Sequence, residues 1–126
     1  MKDKKKFYIN GKWVDPQKKN DFNVINPSTE ESCAVISLGS PEDINIAVNA
    51  AKKAFEGWAF TSKDERIKLL ESLYTLYKKR WAEMAEAISL EMGAPIDFST
   101  QLQAGTGASH IKSYIKVLKI IILKKY

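Results

Sequence analysis

The chain has 126 residues, 44% of them hydrophobic and 28% charged, with a formal net charge of +5. That is ordinary usage for one soluble globular unit, and it argues against disordered and fibrous classes. The positive excess comes largely from Lys2 with Lys4 to Lys6 and from Lys116, Lys119, Lys124 and Lys125, so the balanced middle does not call for a nucleic-acid surface.

The amino-terminal stretch has basic residues but no apolar h-region before Asn10, which excludes a secretory signal. "FYINGKWV" then places Phe7 to Ile9 and Lys12 to Val14 on either side of Asn10-Gly11, the pair whose tolerance of positive φ makes a type I′ hairpin turn. Beyond Pro16, two β-branched runs flank the turn Asn26-Pro27-Ser28-Thr29. In the second run Ala34, Ile36 and Leu38 should share one face, with Cys33, Val35 and Ser37 on the other.

At Gly39 the pattern turns helical. Ser40 can accept from the Asp43 amide, Pro41 suits the first helical position, and Glu42 with Asp43 place negative charge at the positive end of the dipole. The spacing predicts a buried stripe of Ile44, Ala47, Val48, Ala51, Ala54 and Phe55, ended by Gly57. Ser62 and Glu65 have capping-box spacing and open a second helical stretch. Its positions Ile67, Leu70, Tyr74, Tyr77, Trp81, Met84 and Ile88 keep to one face and read as core, with room for a break near "KKRW" and a stop at Gly93 and Pro95. A third helix is expected from about Ser99, carrying Leu102, Ile111, Ile115, Leu118 and Ile122. Gly105 and Gly107 inside it each cost about 1 kcal/mol relative to alanine, which points to a close approach of the backbone to a neighbour.

Candidate chemistry is sparse. Cys33 is the one cysteine, so no internal disulfide forms and a reducing compartment, the cytoplasm, is the simplest setting; in a strand with no histidine nearby it reads as a small half-buried residue rather than a nucleophile. His110 is the one histidine, which rules out a multi-histidine metal site and places it on a helix flank. The "GTG" of residues 105–107 lacks both the third glycine of a dinucleotide fingerprint and the lysine of a P-loop. Glu83 with Glu86, and Glu30 with Glu31, can be paired as acid and base on paper, but charged residues on such faces and turns are ordinarily solvated. No catalytic, cofactor-binding or metal-binding residue is assigned.

Several segments taken together are more specific. "FYINGKWVD", "VINPSTEE", "SPEDINIAVNAAKKAFEGWAFTSKDERIKLLESL" and "EAISLEMGAP", in that order and spacing, resemble the amino-terminal region of the aldehyde dehydrogenase superfamily from about Phe7 to Leu118. Glu30 departs from the pattern, standing where many members have glycine, and the tail beyond Leu118 follows no family pattern. The resemblance implies an α+β chain, with β-hairpins followed by three long α-helices, that forms an incomplete part of the α/β aldehyde dehydrogenase fold. It further implies that residues 1–39 join an oligomerisation sheet and that residues 40–126 pack on an NAD(P)-binding domain.

By the same resemblance, full-length relatives oxidise aldehydes to acids with NAD or NADP through a cysteine thiohemiacetal, an oxyanion site and a glutamate that activates water. None of those residues maps here: Cys33 falls in the early strand region, and Glu91 belongs to the helix-ending "SLEMGAP". The expectation is therefore an inactive amino-terminal piece of such an enzyme, severed near the pattern loss at Leu118, that binds no cofactor by itself and self-associates or joins a full-length homologue. A non-catalytic interaction module, acting as a subunit mimic, is the alternative. A basic helical binder of nucleic acid or anionic membrane rests on "KVLKIIILKKY" alone and is set aside, as is a transmembrane role: Ile120 to Leu123 is far short of the roughly 20 residues that span a bilayer.

Overall fold

A computed structural model describes residues 3–121. The chain divides into two units, Met1–Phe60 and Thr61–Tyr126.

In the first unit, β1 (Phe7–Ile9) and β2 (Lys12–Val14) pair antiparallel with Phe7 opposite Val14 and Ile9 opposite Lys12. Asn10 and Gly11 both take positive φ, 51° and 75°, as a type I′ turn requires. Tyr8 and Trp13 face each other across the pair, with ring centroids 5.2 Å apart. A second hairpin joins β3 (Asp21–Asn26) to β4 (Glu31–Ser37). Its turn is built on Asn26, whose carbonyl accepts from the Glu30 amide at 2.8 Å and whose side chain accepts from the Ser28 amide at 2.9 Å. The outer edge of β4 is met by the segment before β1: the Lys4 amide donates to the Val35 carbonyl at 2.9 Å, and Asp3 Oδ1 accepts from the Val35 amide at 3.0 Å.

The expected two faces of β4 are corrected. Ala34 and Ser37 are the buried residues, Ile36 is half-buried and Leu38 is exposed. The register from Ala34 to Ser37 is regular and Leu38 lies past the end of the strand; the irregularity is at Cys33, since Val24 pairs with Ala34 but Ile25 pairs with Ser32, so Cys33 is the extra residue of a bulge and alternation fails there.

Helix α1 (Pro41–Trp58) begins at the expected cap and runs one residue past Gly57. It packs on β1, where the Phe7 ring lies over Gly39. Its expected buried stripe is also corrected: Ile44 is 60% exposed, Val48 45% and Phe55 63%, whereas Asp43 is buried. The periodicity is real, but nothing among the described residues of this unit covers that face.

The second unit is helical. The predicted second stretch is two helices, α2 (Lys63–Lys79) and α3 (Trp81–Met92), divided at Arg80, whose φ of −104° and ψ of 20° leave the helical region. Gly93 ends α3 in the left-handed conformation, its amide donating to the Ser89 carbonyl. The third predicted helix begins earlier than Ser99: α4 (Ile96–Phe98) runs through a π-helical turn, Ser99–Gln103, into α5 (Ala104–Ile120). Helix α5 packs on α2, and the π turn packs on α3.

Apart from Ile67, the buried residues of this unit are small: Ala85, Ser99, Ala104 and Ala108. Leu70, Tyr74, Tyr77, Trp81 and Ile88 of the expected stripe are half-buried, and Met84 is exposed because Ala85 takes the inward position after the break at Arg80. Of the apolar tail, Ile120 and Ile121 are exposed; Ile122, Leu123, Lys124 and Lys125, like Lys2, lie outside the described residues.

Candidate functional site

In the first unit the most connected polar group is Asp43. Its Oδ1 accepts from the Gln17 amide at 2.9 Å, and its Oδ2 accepts from the Ser40 amide at 2.9 Å and the Ser40 hydroxyl at 2.8 Å. The Gln17 amide and then the Ser40 amide hold this carboxyl below its usual value, since both donate to the charged form. The arrangement ties the segment after β2 to the start of α1. Sequence reasoning found Ser40 and Asp43 but missed Gln17, because a contact 26 residues distant through a main-chain amide leaves no side-chain signature.

Cys33 is half-buried at the β4 bulge, with Sγ 3.4 Å from the Val24 carbonyl oxygen. A carbonyl is no base, so this contact does not activate the thiol as a nucleophile. Glu30 and Glu31 sit at the exposed hairpin end, Glu30 with φ of 60°.

In the second unit His110 is exposed on α5 and Glu91 is exposed near the end of α3. Glu83 is held by Arg80, through Nη2 at 2.8 Å and Nε at 3.1 Å, which keeps its carboxyl below the usual value, while Glu86 is exposed. The glycines 105 and 107 lie inside α5, with main-chain amides turned along the helix instead of into a phosphate cradle. Gly107 is there for packing: a Cβ on it would lie 2.6 Å from Tyr77 Oη, whose hydroxyl donates to the Ala104 carbonyl at 2.9 Å. The expected close approach is thus made by a tyrosine ring. Trp81 Nε1 likewise donates to the Thr100 carbonyl at 2.9 Å, fastening α3 to the π turn.

The starts of α1 and α2 are already occupied by acidic capping boxes. At α1 the first turn carries Glu42 and Asp43, and Ser40 already accepts from the Asp43 amide; at α2 it carries Asp64 and Glu65, and Ser62 accepts from the Glu65 amide. Their negative charge opposes a pyrophosphate where a helix dipole would otherwise attract one. An open depression beside α2, lined by Lys68, Glu71, Ser72, Thr75, Leu76 and Lys79, is one face of a single helix, without converging groups from a second element. Among the described residues no three His, Cys, Asp or Glu side chains gather as metal ligands, and no helix is long and apolar enough to cross a membrane.

The polar groups here fasten elements together, and the family is decided by the chain as a whole. The family model described as "Aldehyde dehydrogenase family" matches residues 13–122. The chain belongs to the aldehyde dehydrogenase family. It is 42% identical over 120 residues to a 3-succinoylsemialdehyde-pyridine dehydrogenase of a Pseudomonas species, a match that covers 94% of this chain and 25% of the relative. The crystal structure of an aldehyde dehydrogenase from Bartonella henselae superposes with a TM-score of 0.94 at 53% identity, over 97% of this chain and 26% of that one. A mutant of Aldehyde Dehydrogenase C from Pseudomonas syringae, in complex with NAD+ and octanal, superposes with a TM-score of 0.92 at 37% identity, over 97% of this chain and 25% of that one. The chain therefore spans about a quarter of the length of these relatives, and its arrangement of hairpins and helices is an aldehyde dehydrogenase partial fold.

Proposed function

We propose that this chain corresponds to the amino-terminal quarter of an NAD(P)-dependent aldehyde dehydrogenase, which oxidises an aldehyde to a carboxylic acid through a cysteine thiohemiacetal, and that these residues alone do not turn over substrate. The observation that carries the reading is the superposition on the Bartonella henselae enzyme, near-complete for this chain yet confined to 26% of that one. The absence of turnover follows from chemistry. Among the described residues the one thiol, Cys33, touches a carbonyl and no base, and the Ser40 and Ser62 hydroxyls are engaged as helix caps, so none is set up to form a thiohemiacetal and pass on a hydride. The role of these residues is then scaffolding: Asp43, Tyr77 and Trp81 fix the hairpins and helices, and exposed faces such as that of α1 are available to the rest of the enzyme. The single cysteine is in keeping with a cytoplasmic setting.

The test is spectrophotometric. Purified chain, offered simple aldehydes with NAD+ or NADP+, should show no aldehyde-dependent growth of the reduced-nicotinamide absorbance. Turnover above the uncatalysed rate, abolished by Cys33→Ala, would overturn the reading and make Cys33 a nucleophile. A second reading, a non-catalytic module that joins a full-length homologue as a subunit mimic, draws on the exposed Ile44, Val48 and Phe55. It is separated from the first by co-expression: a stable complex with the intact homologue favours the module.

A further inference from the structure

We propose that Asn10 is a site of spontaneous covalent modification, at which the Gly11 main-chain nitrogen closes on the Asn10 side-chain carbonyl and the resulting succinimide is opened by water to aspartate or isoaspartate. The chain has six asparagines, and Asn10 alone precedes a glycine. Both residues of the turn are exposed, and apart from its chain neighbours nothing lies within 4 Å of a Cβ built on Gly11, so no other element packs over the glycine's α-carbon, and no side chain of its own hinders attack by its nitrogen. The other asparagines are protected in ways visible in the fold. Asn26 precedes Pro27, which has no amide proton to lose. Asn45 and Asn49 lie within α1, where the amides that follow them are committed to the helix. Asn23 precedes the β-branched Val24 inside β3, and Asn20 precedes Asp21, which is paired to Ser37.

The step balances without an oxidant or reductant. The Gly11 amide gives its proton to water or hydroxide, the Gly11 N to Asn10 Cγ bond forms, the Cγ to Nδ2 bond breaks, and ammonia leaves. Water then adds to the ring. Cleavage between Cγ and the nitrogen gives an ordinary aspartate, and cleavage between the main-chain carbonyl and the nitrogen gives isoaspartate, with the side-chain carbons now in the main chain.

The closed turn, with φ of 51° at Asn10 and 75° at Gly11, restrains the dihedrals that the attack must change. Its two strands are only three residues each, however, and a hairpin of that size is marginal by itself and opens locally. Modification therefore proceeds through the open hairpin. Isoaspartate adds a methylene to the loop, so the two-residue geometry that sets Ile9 opposite Lys12 and Tyr8 against Trp13 no longer closes.

The experiment incubates the full chain at neutral pH and physiological temperature, beside a free peptide of residues 7–14, and maps aspartate and isoaspartate at every asparagine by tandem mass spectrometry. Conversion is expected at position 10 ahead of all the others, slower in the chain than in the peptide. It should fall several-fold in Gly11→Ala and rise towards the peptide rate in Trp13→Ala, which loosens the hairpin. An intact Asn10 in the chain while the peptide converts, earlier conversion at another asparagine, or rates unmoved by either substitution would each overturn the proposal.

Discussion

Single residues in this chain carry information that their type alone obscures. Glu30 occupies the left-handed region at φ of 60°, which explains on steric grounds why glycine suits this point of the turn. Glu30→Gly should stabilise the chain by roughly 0.5–1 kcal/mol, the relieved Cβ strain less the added freedom of the unfolded chain; urea midpoints of the two proteins at one pH measure it. The two helix glycines separate in the same way. A Cβ at 105 would meet Trp81 at an ordinary 3.9 Å, whereas one at 107 would lie 2.6 Å from Tyr77 Oη. Gly105→Ala should gain up to about 1 kcal/mol of helix propensity. Gly107→Ala should lose more than that gain, since overpacking costs about 1–3 kcal/mol and the Tyr77 to Ala104 bond must move. Opposite shifts in melting temperature are the expected result, and equal shifts would refute the packing role of Gly107.

Elements start where local chemistry starts them. The caps of α1 and α2 are capping boxes legible in sequence, Ser40 with Asp43 and Ser62 with Glu65. Removing the hydroxyl in Ser40→Ala should cost about 1 kcal/mol, visible as a lower melting temperature of the first unit. The carboxyls of these boxes are depressed, Asp43 mainly by the Gln17 amide and Glu65 mainly by the Ser62 amide. A depressed folded value means that the unfolded chain takes up the proton first as pH falls. The stabilisation is thus whole above the ordinary carboxylate values, 3.8 for Asp43 and 4.5 for Glu65, and is lost as pH falls through the lower folded ones. Thermal melts should be flat with pH above that range and fall steeply below it, the Asp43 share of the fall disappearing in Asp43→Asn. The π turn at Ser99–Gln103 had no such local signal. It answers to Trp81, which reaches the Thr100 carbonyl from another helix.

At the scale of the molecule, the conspicuous property is exposed apolar surface, part of which periodicity assigns to a core. Ile44, Val48 and Phe55, from the expected stripe of α1, are all more than 40% exposed, and so are Tyr114, Val117 and Ile120, which lie off the expected stripe of α5. Uncovered faces of this kind drive association. The chain alone should sediment as concentration-dependent oligomers, and Val48→Lys with Phe55→Lys should shift the distribution towards monomer. A cooperative, monodisperse monomer without those substitutions would mean that the faces are tolerated in water and that the chain is an autonomous domain.

What the sequence determined by itself was local: the Asn10-Gly11 turn, the two capping boxes, the Gly93 stop, and, from ordered motifs, membership of the aldehyde dehydrogenase family. These depend on dihedral preference and on bonds spanning a few residues, which neighbouring letters specify. Only the tertiary structure decided the bulge that places Cys33 out of alternation, the division at Arg80, the Gln17 bond to Asp43 and the tyrosine that fills the space above Gly107. Hydrophobic period likewise identified which face of α1 is apolar but not whether anything covers it, because burial depends on a partner surface, and a period of 3.6 residues describes one helix alone.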